Sequence, residues 1–346
     1  MVEGHWGTGG VPAVVRCFSD VDGEPSLEWT KGLHMKKYNY DGLAELLDVK
    51  APLLMLDRLF VDSEGGTAEG VRHVSMNDPV FLGHFPGHPV TPGVLQVAAM
   101  EQAARALFLS SFAGNGPVAI HSLRRVKFRQ PVEPGMSMRI ECHQNGEPVD
   151  GKVEYEARIL VEDEMASSAF ITLCSRGPSW FEPDVEEGAA QFMKELPDGA
   201  RLLKPEDIMG IIPHRYPFLH IDGAYDMGSA SEIFGYKNIE GNDPFVAGTV
   251  PPFFLEPLHV EAGAQLGCVA LLALPENRGK LGFFMSIDSA EFFMPVLPGE
   301  RMAIRMECES HGRFGVARGE NYVGASLASR YSLKFAILAP DMLNAK

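Results

Sequence analysis

GHFPGHPVTPGVL, running from Gly83 to Leu95, sets a histidine in a loop dense in Gly and Pro and opens directly into a long apolar segment. HVEAGAQ, from His259 to Gln265, lies in a second apolar segment and carries an acid. The first stretch offers a histidine without a partner acid, and the second an acid without a matching histidine. Their positions correspond in an internal repeat that simple subtraction reveals. Asp57 and Asp222, which close PLLMLD and PFLHID, stand 165 residues apart, as do Asn77-Asp78-Pro79 and Asn242-Asp243-Pro244, and Gly83 and Gly248. Gln102 and Gln265 are 163 apart, and FRQPVEPG (Phe128 to Gly135) stands 164 before FFMPVLPG (Phe292 to Gly299). Ordered anchors at a nearly constant offset indicate duplication, and a repeat found first guards against a mis-assigned fold.

The chain of 346 residues suits two domains of ordinary size, which agrees with the duplication. Apolar residues at 45% and charged ones at 22% are the balance of a globular protein rather than a disordered or fibrous one. A formal charge of −16 argues against nucleic acid and anionic membrane as partners, and an acidic protein partner would need a local basic patch. Neither a signal-type start nor an apolar run of membrane-spanning length is present, so a cytoplasmic location is expected. Cys17, Cys142, Cys174, Cys268 and Cys308 form no CxxC pair and no zinc-type spacing, and are expected to be reduced, mostly buried thiols.

Along the chain, residues 1–38 are Gly-rich without sustained period and are expected to form an N-terminal arm. A first repeat spans 39–175, a Pro/Gly/Glu-containing surface connector 176–203, and a second repeat 204–346. Each repeat begins with a short helix start, at Asp41 before GLAELL and at KPEDIMGII from Lys204. An apolar strand ending in the shared aspartate is expected next. VLQVAAMEQAARALFL from Val94 and LHVEAGAQLGCVALLAL from Leu258, apolar nearly all round, then predict buried helices. Beyond them the period becomes two. Val126 and Phe128 alternate with Arg125, Lys127 and Arg129; Val153, Tyr155, Ala157 and Ile159 alternate with charged residues, and Met302, Ile304, Met306 and Cys308 mostly do so. Such alternation predicts half-exposed antiparallel strands and, overall, an α+β fold in which a sheet wraps a helix, twice.

GHFPGHPVTPGVL resembles the active-site segment of bacterial 3-hydroxyacyl-acyl-carrier-protein dehydratases of the FabZ and FabA type, and IIPHRYPFLHID (Ile211 to Asp222) resembles the segment that opens a FabZ chain. The resemblance implies the hotdog fold, here a double hotdog, with each site combining the histidine of one unit with an acid on the central helix of the other. In the family pattern the acid stands fourteen residues after the histidine and four before a glutamine. Counting from His84 reaches Ala98, four before Gln102, so the first copy lacks the acid. In the second copy Thr249 replaces the histidine, while Glu261 stands four before Gln265. The losses are complementary: His84 with Glu261 makes one complete cross-repeat pair, and Thr249 with Ala98 an abandoned one. The arrangement is similar to dehydratase domains of modular polyketide synthases.

By that resemblance the reaction is removal of water from a (3R)-hydroxyacyl thioester to give a trans-2-enoyl thioester. A neutral His84 suits proton abstraction at C2. Glu261 is expected to protonate the leaving hydroxyl, its pKa raised by an apolar tunnel. Gly93, at the start of a buried helix, is the candidate oxyanion donor, and Gln265 would hold the carboxyl or the leaving water. No cofactor or metal is expected, the substrate being carried on phosphopantetheine of acyl carrier protein or of CoA. The two repeats would form an internal pseudo-dimer, with further pairing of chains left open. His88 reads as a rim residue, Glu101 as a weak candidate for a displaced acid, His259 as pointing to another helix face, and His214, Arg215 and Tyr216 as structural or tunnel-lining. Arg125, Lys127 and Arg129 would face either the carrier or solvent. A hydratase or dehydratase–isomerase shares the same residues, and a silent acyl-binding scaffold is the non-enzymatic alternative.

Overall fold

Period-two alternation becomes strand wherever it was sustained. In the computed structural model, Val153, Tyr155, Ala157 and Ile159 of one strand and Met302, Ile304, Met306 and Cys308 of another are all buried, while Glu154, Glu156, Arg158, Arg305 and Glu307 between them are more exposed. The structure describes residues 35–112, 116–194, 196, 200–228, 231–277 and 279–338. Residues 1–34 of the expected arm, with Cys17, and residues 339–346 at the end of the second repeat lie outside the described residues.

The strands are β1 (Met35–Tyr38), β2 (Arg58–Asp62), β3 (Thr67–His73), β4 (Val118–Phe128), β5 (Ser137–Gln144), β6 (Lys152–Val161) and β7 (Glu164–Ser175) in the first half. The second half supplies β8 (Arg201–Leu203), β9 (Gly223–Asp226), β10 (Glu232–Asn238), β11 (Leu281–Phe292), β12 (Arg301–His311), β13 (Phe314–Val323) and β14 (Ser326–Leu338). They form one 14-stranded sheet in the order β1-β2-β3-β5-β6-β7-β4-β11-β14-β13-β12-β10-β9-β8. The order is a palindrome: each half presents the same succession outward from the seam where β4 pairs antiparallel with β11, Ile287 opposite Val126 and Ala290 opposite Leu123. Each half wraps its own helix, Gly93–Ser111 in the first and Glu256–Leu272 in the second. These two central helices touch each other, and a continuous apolar core joins both halves.

Three features depart from the expectations. Met35–Tyr38 and Arg201–Leu203, assigned to an arm and a connector, are the two edge strands, pairing with β2 and β9. The first helix, Tyr40–Leu47, is capped by Asn39, whose side chain accepts from the Gly42 amide at 3.0 Å, rather than by Asp41 in its first turn. PLLMLD and PFLHID are not strands. Their backbone is satisfied by a side chain instead: Gln102 accepts from Met55 N at 2.8 Å and donates to Leu53 O at 2.7 Å, while Gln265 accepts from His220 N at 2.8 Å and donates to Phe218 O at 3.0 Å. A glutamine amide thus stands where a neighbouring strand's peptide would. The aspartates that close these segments accept from His73 N and Asn238 N, both at 2.6 Å, fixing each segment to the next hairpin.

Candidate active site

The loop carrying His84 is built by its own glycines and prolines. Phe85 and His88 exchange backbone hydrogen bonds at 3.1 and 2.9 Å across Pro86-Gly87, with Gly87 at φ 81. Proline at the second and a positive-φ glycine at the third place are the requirements of a type II turn. Val90 N then donates to His84 O at 3.0 Å, and His84 Nδ1 lies 2.7 Å from Val90 O. A carbonyl only accepts, so Nδ1 carries the hydrogen and Nε2 is the basic nitrogen.

The second repeat reaches this loop through Arg215, whose amide donates to Gly83 O at 3.1 Å. A Cβ on residue 83 would sit 2.2 Å from the Arg215 carbonyl oxygen, so glycine is what permits the contact. The contact lays His214 beside His84, with ring centroids 5.6 Å apart. Glu261, buried on the second central helix, completes the cluster: its Oε1 lies 3.6 Å from His214 Nε2 and accepts from Gln265 Nε2 at 2.9 Å. Nitrogen and carboxylate atoms of His84, His214 and Glu261 all fall within 4.8 Å of one another. Three such groups match the count of a metal centre. Here, however, the same Glu261 oxygen takes an amide donor and faces an imidazole, which is an arrangement for moving protons.

A family model, the FabA-like domain, matches this chain twice, over residues 48–169 and 212–330. The chain belongs to the FabA-like family. The 3-hydroxyacyl-[acyl-carrier-protein] dehydratase FabZ of Pelotomaculum thermopropionicum is 42% identical over 139 residues, which are 39% of this chain and 99% of the relative. That of Symbiobacterium thermophilum is 41% identical over 133 residues, 38% of this chain and 94% of the relative. Among solved structures, the dehydratase domain from the CurJ module of curacin polyketide synthase superposes with a TM-score of 0.60 at 13% identity, covering 84% of this chain and 98% of its own. The dehydratase domain of RzxB from Pseudomonas fluorescens gives 0.56 at 14% identity, covering 82% and 98%. At that identity the likeness is one of fold: a duplicated, α+β hotdog.

In this FabA-like site the electrostatics of His84 and Glu261 diverge. Burial pushes the His84 pKa down, His214 adds to the effect, and Glu261 and the Val90 hydrogen bond oppose it, leaving it at about 4. His84 is therefore a neutral base at neutrality. For Glu261, burial pushes upward, but His214, His84 and the Gln265 donor together outweigh it and hold the carboxyl down to about 2. The raised value expected from the sequence is corrected: an apolar wall is present, but so are partners that favour the carboxylate.

These shifts have a consequence for stability. His84, His220 and His259 all lie at about 4 through burial, so between pH 4 and 6.5 the unfolded chain binds protons that the folded chain does not. Glu256, raised by burial to about 7, acts the other way between about 4.5 and 7 because its folded form holds the proton longer. Glu69 and Glu300 act in the same sense as Glu256, and His121 in that of the other histidines, but the three large histidine shifts dominate, so the thermal midpoint should rise as pH goes from 4 to 6.5. Melts across that range check this; a flat or falling midpoint contradicts it.

The remaining candidates separate clearly. Gly93 is the first residue of its central helix, where amides have no partner within the helix, and a Cβ there would lie 2.8 Å from the Phe128 ring. Gln265 spends its two amide hydrogens on Phe218 O and Glu261 Oε1 and accepts from His220 N, so it holds the carboxyl in place. His88 is exposed, and His259 is bound on both nitrogens, to Ser329 Oγ at 3.2 Å and Phe254 O at 3.1 Å. Glu101 faces away from the cluster and pairs with Arg105 at 2.6 Å. Arg125, Lys127 and Arg129 are exposed around Phe128. The sequence reads His214 as structural or tunnel-lining; the structure sets it against Glu261, a place hinted at by its first-repeat counterpart at the 165-residue offset, Val49.

The abandoned site is filled in. Thr249 Oγ1 accepts from Phe253 N at 2.9 Å and lies 3.1 Å from Val246 O, so the hydroxyl closes its own loop. Ala98 is buried, and Val49 bridges to Thr249. At the 163-residue offset Glu256 takes the place of Gly93, while Ala264 and Cys268 are the counterparts of Glu101 and Arg105. The site side thus keeps small residues where the abandoned side holds a buried Glu101–Arg105 pair with Glu256 acting on both.

Proposed function

We propose that this chain eliminates water from a (3R)-hydroxyacyl thioester at one composite site, giving the trans-2-enoyl thioester. The observation that carries the reading is the meeting of His84 from one repeat with Glu261 from the other inside a span of 4.8 Å. In this scheme His84 Nε2 takes the C2 proton, the C2–H electrons form the C2=C3 double bond, and the C3–O bond breaks. The departing hydroxyl leaves as water on receiving a proton through Glu261, which must first take that proton up because its partners hold it as the carboxylate. The Gly93 amide, at the positive end of its helix, receives the charge that develops on the thioester oxygen, an interaction worth roughly 3–4 kcal/mol where such donors have been removed. Acid–base assistance of this kind contributes about 10²–10⁴ in rate.

We infer that the acyl group arrives on the phosphopantetheine of an acyl carrier protein. What supports this is the exposed Arg125, Lys127 and Arg129 on the strand that brings Phe128 against Gly93, a local cationic edge on a chain of net charge −16. The test runs the reaction backwards: hydration of crotonyl thioesters, on CoA and on a carrier protein, followed by loss of the enoyl ultraviolet band. Turnover is expected on at least the carrier form, and none on either form would overturn the proposal.

A further inference from the structure

The duplication lets each residue of the site be compared with its own counterpart at the abandoned cross-repeat position. Features kept by both halves have structural causes. Gln102 and Gln265 make the same pair of backbone bonds, Asp57 and Asp222 anchor the same hairpin, and Gly83 and Gly248 accept from Arg215 and Lys50 in the same way. Residues kept by one half include His84 against Thr249, Glu261 against Ala98, and His214 against Val49. Difference alone does not decide, since His220 also stands against Met55. Geometry does. The His220 ring is boxed by Phe218, Phe245 and Phe254 at 4.5, 5.3 and 5.6 Å, whereas His214 turns Nε2 to Glu261.

We propose that His214 is a positioning residue that feeds Glu261 the proton it delivers, so that the acid of this site is a histidine–glutamate couple rather than a lone carboxyl. The inference rests on the elimination chemistry proposed above. His214 is 6% exposed, its Nε2 is 3.6 Å from Glu261 Oε1, and its Nδ1 is buried with no protein partner among the described residues. Histidine is the side chain that exchanges protons near neutrality. The groups facing it are His84 from the first-repeat loop, Glu261 from the second central helix and His220 farther along its own segment, with the Arg215 guanidinium donating to the His214 carbonyl at 2.7 Å.

The step balances. A proton leaves His214 Nε2 for Glu261, and Glu261 passes one proton to the substrate oxygen as the C3–O pair departs with it. His84 meanwhile gains the C2 proton. Turnover ends with an extra proton on His84 and one fewer on His214, and its return between the neighbouring rings, carried by the product water, resets the site. The 5.6 Å ring separation is short enough for one water to bridge.

His214→Gln and His214→Ala test this in the full chain with a crotonyl thioester. For His214→Gln, kcat at pH 7.5 should fall at least about tenfold with KM within about threefold, and the pH of maximal kcat should move down by at least about one unit, because Glu261 must then hold the proton itself. Added imidazole should restore His214→Ala at least about fivefold. Either variant keeping kcat within about twofold of wild type, or both losing it equally at every pH without an imidazole response, overturns the inference and leaves the elimination reading standing. A wild-type chain without turnover overturns both.

Discussion

Replacing His84 by alanine or Glu261 by glutamine should each lower kcat by about 10²–10⁴ while leaving the thermal midpoint nearly unchanged. Alanine at 84 removes the basic Nε2 and gives up one hydrogen bond, that to Val90 O, on a half-buried loop that remains held by its own backbone bonds. Glutamine at 261 keeps the shape and offers an amide oxygen to Gln265 Nε2, so the packing of the second central helix survives while the proton carrier is lost. Adding Ala98→Glu to Glu261→Gln should restore nothing. The new acid would face Thr249, whose hydroxyl is committed to Val246 and Phe253, and Val49, which has no proton to give. Steady-state hydration of a crotonyl thioester with parallel melts reads these outcomes; wild-type activity in either single variant would refute the composite site.

Arg105→Leu should be the most destabilising single change on the opposite side, by about 3–5 kcal/mol, because it leaves buried carboxyls without their cation. Glu101 pairs with Arg105 at 2.6 Å, and Arg105 is what restrains the rise of the Glu256 pKa, which burial has already pushed up to about 7. Removing all three charges together, with Glu101→Leu and Glu256→Gln added, should recover stability to within about 1–2 kcal/mol of wild type, since apolar replacements of buried ion groups are often neutral. Urea denaturation measures both. The Arg105→Leu defect should shrink as the pH is lowered below 7, where the Glu256 carboxyl takes up its proton and no longer needs the cation. A loss under about 1 kcal/mol would show that the group is solvated and not a buried filling.

Much of this was legible in the sequence because duplication turns one chain into its own comparison. Offsets of 165 between His84 and Thr249 and of 163 between Ala98 and Glu261, read with the family's spacing of histidine and acid, exposed both vacancies and both survivors without coordinates. Period-two alternation located β6 and β12 because one face of each is buried. Met35–Tyr38 and Arg201–Leu203 stayed hidden because four- and three-residue edge strands carry too few alternations to show a period. PLLMLD looked like a strand because its composition is that of one; the Gln102 amide that replaces its ladder comes from 47 residues away. The ionisation of Glu261 was misjudged for a similar reason. Burial can be guessed from an apolar helix, but the groups that overcome it arrive from a loop of the first repeat and a loop of the second, and only the fold brings them together.

The seam between β4 and β11 has one more consequence. Were the two halves separate copies of a single polypeptide, every substitution would appear on both sides of the axis, so an acid lost from one position would be lost from the other. Joined in one chain, the halves carry separate coding positions. One position keeps the His84, His214 and Glu261 cluster while its mirror position accumulates Glu101, Arg105 and Glu256. The single sheet preserves the outline of a twofold, and the covalent link releases the sequence from obeying it.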